Sequence, residues 1–197
     1  MVHERPRLSF PGVVEPSLPT IPSEAHLQAI VESMGVLKDI GVIPYSAQLR
    51  RRWTGEPLWQ QWAKQYPFLF DDLDRESAKN QHHMGYHFVE WLAAITLYTT
   101  TSFHSCLGKL DYQKHRRKRE IFKRYAPPTL QDLVLSRGTK GAQCPDLFAF
   151  LPGSKDWFFC EVKGPGDRLR PSQQAHFKQI ASASRKPVCV LRLRELS

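Results

Sequence analysis

Hydrophobic and polar positions along the chain change their period part-way. After Ser23, Leu27, Ile30, Val31 and Met34 recur at helical spacing, and the short Ser23 side chain suits a helix cap. Gly41 and Pro44 stop that helix. Between residues 45 and 75, Trp53, Trp59, Trp62, Tyr66, Phe68 and Phe70 crowd together; Trp59, Trp62 and Tyr66 fall on one helical face. Residues 76–104 read as a long helix, with Phe88, Trp91, Leu92, Ile95 and Tyr98 at its spacing. Pro127-Pro128 breaks a basic stretch, and a short apolar run from Leu130 to Leu135 leads into a loop from Gly138 to Gly141. From there the pattern changes to strands. Leu147 to Leu151 and Trp157 to Val162 are apolar, partly aromatic runs on either side of the turn signal Pro152-Gly153-Ser154. Gly164-Pro165-Gly166 ends the second run. A helix over 172–184 and a strand from Val188 to Leu193 follow. Strand, helix, strand is a parallel crossover, expected to be right-handed.

This pattern predicts an α/β fold with a helical extension at its N-terminal side. Residues 1–22 hold five prolines without a period and predict an extended arm. Residues 23–75 are then the helical, aromatic-rich extension, and residues 76–197 the main domain. The aromatic stretch has two readings: a helical layer packed on the main domain, or a surface for base stacking or partner binding.

Composition narrows the partners. Of 197 residues, 41% are hydrophobic, enough for a packed core, and the formal net charge of +9 favours a polyanion: DNA, RNA or an anionic membrane surface. Cys106, Cys144, Cys160 and Cys189 form no C-x-x-C pair, so they read as reduced core thiols rather than a zinc ribbon. The apolar stretch Phe88 to Leu97 is interrupted by Glu90 and is too short to span a bilayer. Without a secretory h-region the expected location is the cytoplasm, with export by a specialised machine left open.

The chemistry concentrates around Gly153. If Leu151 and Asp156 flank a simple hairpin turn, each step outward pairs one residue from each strand, and Asp146 comes opposite Glu161. Their Cβ atoms then lie roughly 5 Å apart. Lys163 lies two residues beyond Glu161 and points to the same face. Facing carboxylates repel unless a cation sits between them, and hard oxygen ligands suit Mg²⁺ or Mn²⁺. The carbonyl of Val162 offers one more ligand. A cation there would activate a water and polarise a phosphate, with Lys163 stabilising developing charge.

The run Gly141-Ala142-Gln143-Cys144-Pro145-Asp146-Leu147, followed by Glu161-Val162-Lys163-Gly164-Pro165-Gly166-Asp167-Arg168-Leu169 and Gln173, resembles the VRR-NUC family of the PD-(D/E)XK nuclease superfamily. That family includes the nuclease domain of Fanconi-associated nuclease, small stand-alone phage and bacterial proteins, and effectors of type VI secretion. The resemblance implies a mixed central sheet flanked by helices. It also implies that Asp146 and Glu161 bind metal, that Lys163 assists the nucleophile, and that Gln173 matches the glutamine of the following helix. Cys144 stands where the family often has glycine. These nucleases often add an acid from an upstream helix; Glu90, a charge inside an apolar stretch, is the candidate, with Glu76 as runner-up. His83, His87 and Glu90 share a helical face by spacing, where a wet face or phosphate contacts outweigh a zinc site.

For DNA contact the basic run Lys114, Arg116, Arg117, Lys118 and Arg119 is a natural phosphate stripe, and Arg168, Arg170 and Lys178 line the approach to the metal. The expected function is a metal-dependent DNA endonuclease that selects DNA structure rather than sequence, since no recognition-helix motif appears. It serves either repair and recombination, or antibacterial attack, in which case an immunity protein is a partner. Stand-alone relatives make a homodimer an option. The alternatives are a catalytically inactive DNA-binding module or a ribonuclease.

Overall fold

A computed structural model describes residues 21–33, 35–108, 110, 113–135 and 144–196. The proline-rich arm up to residue 20 and the loop from Gly138 to Gly141 lie outside the described residues. Helices α1 (Glu24–Glu32), α2 (Ala47–Gly55), α3 (Leu58–Gln65), α4 (Asp72–Gln81), α5 (Phe88–Thr101), α6 (Arg116–Tyr125), α7 (Pro128–Leu135) and α8 (Pro171–Ser184) surround five strands. These are β1 (Leu37–Ser46), β2 (His104–Leu107), β3 (Leu147–Phe150), β4 (Trp157–Lys163) and β5 (Val188–Leu196), in the order β1-β5-β4-β3-β2. β1 and β4 run parallel to β5, whereas β2–β3 and β3–β4 are antiparallel. The sheet is mixed and flanked by helices, as the expected PD-(D/E)XK-like α/β fold requires.

The hairpin register is the one the turn signal predicts. Leu147 pairs with Cys160 and Phe150 with Trp157, and the Leu151 amide donates to the Asp156 carbonyl at 2.9 Å. β3 and β4 are buried on both faces, so their side chains alternate between two cores rather than between core and water. Leu147, Ala149, Phe158, Cys160 and Val162 join a core with α2, α3 and α5. Phe148, Phe150, Trp157 and Phe159 join a second core with α6, α7 and α8. Cys106, Cys160 and Cys189 are buried, and burial pushes the thiols of Cys106 and Cys189 up to about 12, as inert core thiols should behave.

Two elements differ from the pattern reading. Residues 37–46, inside the expected helical extension, form strand β1 of the central sheet. Gly41 and Pro44 read as breakers, yet β1 is an edge strand, where a missing amide donor is tolerated, and a bulge at Asp39/Gly41 absorbs the glycine at φ 130°. The expected long helix over 76–104 is two helices. Gly85 (φ 78°) and His87 (φ 67°) take left-handed backbone between them, and the last residue of that span starts β2. Finally, the aromatic stretch is largely core: Trp53, Trp62, Tyr66 and Phe70 are buried, with Trp53 packed on Trp62 and Trp91, and Phe70 stacked on Trp91 at 3.6 Å. The packed-layer reading therefore describes them, and those four rings are unavailable for base stacking.

Candidate active site

β3 ends its ladder at Leu147, one residue after Asp146, and β4 runs on to Lys163. The gap this leaves is where the polar side chains gather. Asp146 Oδ2 accepts a hydrogen bond from the Val162 amide at 2.8 Å, which fixes its carboxylate across from Glu161. In a strand, the N–H and C=O of one residue point to the same edge. The Val162 carbonyl thus faces the Asp146 side as well.

Glu161 is 1% exposed. Its Oε1 accepts from Lys163 Nζ at 2.7 Å and from Gln173 Nε2 at 2.7 Å. Gln173 Oε1 in turn accepts from Lys163 Nζ at 3.4 Å and from the Arg170 amide at 3.1 Å, at the N-terminus of α8. The donors around it dictate which way the amide points. Gln173 therefore bolts helix α8 to the carboxylate and ammonium of β4; it is a positioning residue. Glu161 Oε2 is buried and has no hydrogen-bond partner. Leaving such an oxygen dry and unmatched costs free energy that a cation would recover.

Charge at this point is unbalanced. Burial holds the Asp146 carboxyl well above the ordinary carboxylate range, and repulsion from Glu161 and then Glu90 adds to it, against the opposing pull of the Val162 amide and Lys163. The repulsion that Glu90 exerts on Asp146 puts the N-terminal turn of α5 in the neighbourhood of this carboxylate. Val89, beside it, packs close to Gly164, the residue after Lys163. Helix α5 and the β3–β4 hairpin thus bring Glu90, Asp146, Glu161 and Lys163 together. The runner-up, Glu76, is exposed on α4. His83 lies in the 3-10 turn His82–Met84 and His87 caps α5 beyond the break, so the expected shared helical face of His83, His87 and Glu90 does not exist. The Gly164–Asp167 turn is closed by the Gly164 amide donating to Asp167 Oδ2 at 3.1 Å, a holding role that the sequence motif does not single out.

Residues 106–192 match the family model described as the VRR-NUC domain. This segment is similar to the VRR-NUC domain. The domain holds Asp146, Val162, Glu161, Lys163 and Gln173, while Glu90 comes from outside it, on α5. Among solved structures, paFAN1 bound to 5′-flap DNA with a 2-nt flap and a gap is similar at 22% identity and a TM-score of 0.27, over 74% of this chain and 25% of that one. The chain thus spans about a quarter of that protein's length. No curated protein matches the chain.

The basic residues separate into two groups. Lys114, Arg116, Arg168, Arg170 and Lys178 are exposed, on or beside α6 and α8, which cover the VRR-NUC domain on one face of the sheet. Lys118 is not available to a phosphate: it is 0% exposed, with Nζ 2.5 Å from Asp74 Oδ1 and 4.0 Å from Asp71 Oδ2, which corrects its expected place in the DNA-contact stripe. Arg117 donates to the Phe68 carbonyl and Arg119 to the Leu110 carbonyl, so both guanidinium groups are turned onto the protein's own backbone. A charge run carries no sign of which members face inward; amphipathic placement on α6 decides it.

Lys118 also explains a cluster absent from the sequence reading. Asp71, Asp74 and His115 bring three ligand atoms within 4.8 Å of one another. A metal could be imagined there, but the Lys118 ammonium already sits against both acids. Asp71 and Asp74 have structural duties besides, each accepting a backbone amide in the capping box of α4. No helix among the described residues is long and apolar enough to cross a membrane.

Proposed function

We propose that this protein is a metal-dependent DNA endonuclease whose centre is Asp146, Glu161 and Lys163, with Glu90 and the Val162 carbonyl completing the ligand set. The observation that supports this best is the buried, partnerless Glu161 Oε2 in a gap where three carboxylates meet one lysine. The donors are all oxygen, which fits a hard divalent cation such as Mg²⁺ or Mn²⁺. When bound, such a cation supplies Lewis acidity toward a phosphate oxygen and acidifies a water.

The chain's own residues do the rest. The Val162 amide aims Asp146. Lys163, held by Glu161 and Gln173, keeps an ammonium where negative charge grows on the phosphate during hydrolysis. Gln173 fixes both partners against the start of α8. Exposed Lys114, Arg116, Arg168, Arg170 and Lys178 offer phosphate contacts without base-reading geometry, which favours selection by DNA shape.

The test is incubation of plasmid and branched DNA with Mg²⁺, Mn²⁺ or EDTA, beside Glu161→Gln. Cleavage with a divalent ion, none in EDTA and none by the variant is the expected result. A folded Glu161→Gln protein that cuts at the wild-type rate overturns the assignment. Expression in bacteria separates the settings: growth arrest that needs Glu161 marks a toxin with its immunity partner, and tolerated expression marks repair or recombination.

A further inference from the structure

Met84 and Tyr86 are the large hydrophobic side chains left in the open among the described residues, at 54% and 57% exposure. They flank Gly85 in the tight turn before α5. The turn is held unusually firmly for a surface loop. His87 sits in left-handed backbone at φ 67°, which costs a non-glycine residue on the order of 1–2 kcal/mol. Its Nε2 lies 2.9 Å from Ser77 Oγ and 3.0 Å from Gln81 Oε1. The indole of buried Trp53 donates to the Tyr86 carbonyl at 3.1 Å. The buried Trp53 indole and two half-buried side chains of α4 therefore anchor the backbone around Tyr86, which is itself 57% exposed.

The turn lies close along the chain to Glu90 of the candidate active site. Tyr86 stands four residues before Glu90, a span of at most about 14 Å. Nucleotides rise about 3.4 Å along one strand, so a base on Tyr86 is within roughly four nucleotides of Glu90. Arg50 reaches the same turn, its Nη2 3.9 Å from the position a Gly85 Cβ would take. Its partner there is Glu195 at 3.3 Å, in a pair whose side chains are 50% and 33% exposed, a contact that a phosphate can displace. An open aromatic ring on a turn that a guanidinium reaches, on a chain of net charge +9, has the make-up of a single-strand stacking site.

We propose that Tyr86, backed by Met84 and Arg50, stacks an unpaired base at the junction of single- and double-stranded DNA and gives the enzyme its preference for branched substrates. This rests on the reading of Asp146 and Glu161 as the cutting centre. The experiment uses a flap duplex carrying 2-aminopurine at the branch nucleotide and the matching unbranched duplex, both in EDTA. Wild type quenches the fluorophore and binds the flap about 10–100-fold more tightly than the duplex. Tyr86→Ala loses the quench and that preference but keeps its duplex affinity, and Tyr86→Phe restores both. Retained quench and preference in Tyr86→Ala overturn the proposal and leave the turn to a protein partner. An equal loss on flap and duplex overturns it too. Cleavage in Mg²⁺ or Mn²⁺ is read separately: wild type that quenches yet never cuts refutes the cutting centre, not the stacking turn.

Discussion

Two buried clusters in this molecule share their ingredients and differ in their electrostatics. At the first, Asp71 and Asp74 of the α4 start meet Lys118 of α6, with His115 Nδ1 3.5 Å from Asp71 Oδ2. At the second, Glu90, Asp146 and Glu161 come together with Lys163. In the first, each acid also receives a backbone amide, and the ammonium fits between them. In the second, among the described residues, negative charge outnumbers positive and one oxygen of Glu161 has no hydrogen-bond partner. Proximity of acids does not by itself make a metal site. The deciding quantity is whether the protein's own cations and donors already use the oxygens.

The largest effect should come from Asp146→Asn. Asparagine can still accept the Val162 amide, but the charge is gone. Cleavage should fall by about 1,000-fold or more, while stability without metal stays level or rises, because a repelling charge is removed. A loss of over about 1 kcal/mol in urea unfolding would put the second cluster in the same structural class as the first. Next is Lys118→Met, which strands two buried carboxylates and should cost about 3–5 kcal/mol. A change under about 1 kcal/mol would mean that something other than Lys118 neutralises Asp71 and Asp74.

The first cluster also sets a pH dependence. Burial pushes Asp74 up from 3.8 to about 6, against the opposing pull of Lys118. The folded protein therefore keeps this proton longer than the unfolded chain does. The resulting stabilisation is full below the unfolded value and is lost as pH rises through about 6, by up to about 3 kcal/mol. Asp71, held below its ordinary 3.8 chiefly by Lys118 against the effect of burial, titrates beneath that window. The stability of wild type minus that of Asp74→Asn should thus decline between about pH 4 and 6.5 in urea titrations; a flat or rising difference refutes the sign.

Divalent ions should tell the clusters apart by melting. At a hundred times its dissociation constant, Mg²⁺ or Mn²⁺ should stabilise wild type by about 2.7 kcal/mol, and Asp74→Asn by the same amount, but not Asp146→Asn. Stabilisation lost in Asp74→Asn and kept in Asp146→Asn would move the ion to the first cluster. The mildest change is Gln173→Ala. Loosening the hold on Glu161 and Lys163 should lower cleavage about 10–100-fold and raise the metal needed for half activity.

The β3–β4 hairpin was legible in the chain because it is local. A turn at Pro152-Gly153-Ser154 fixes the register, and the register sets Asp146 against Glu161 without help from distant residues. The Asp-Leu and Glu-Val-Lys-Gly-Pro runs carried the family likeness for the same reason. Glu90 and Gln173 were harder. They sit on helices on opposite sides of the sheet, and only the likeness and an odd charge in an apolar run hinted at them.

What sequence alone determined is the three strands β3, β4 and β5, the hairpin register and the three residues that converge on it, since period and turn chemistry act over a few neighbours. Tertiary structure decided the rest. It made an edge strand of a segment with Gly41 and Pro44, because an edge needs no donor on one side. It broke the expected long helix at Gly85, turned Lys118 inward and left Tyr86 outward. It also gave two acid–lysine clusters different fates, because charge balance depends on every group folded around a point, not on those adjacent along the chain.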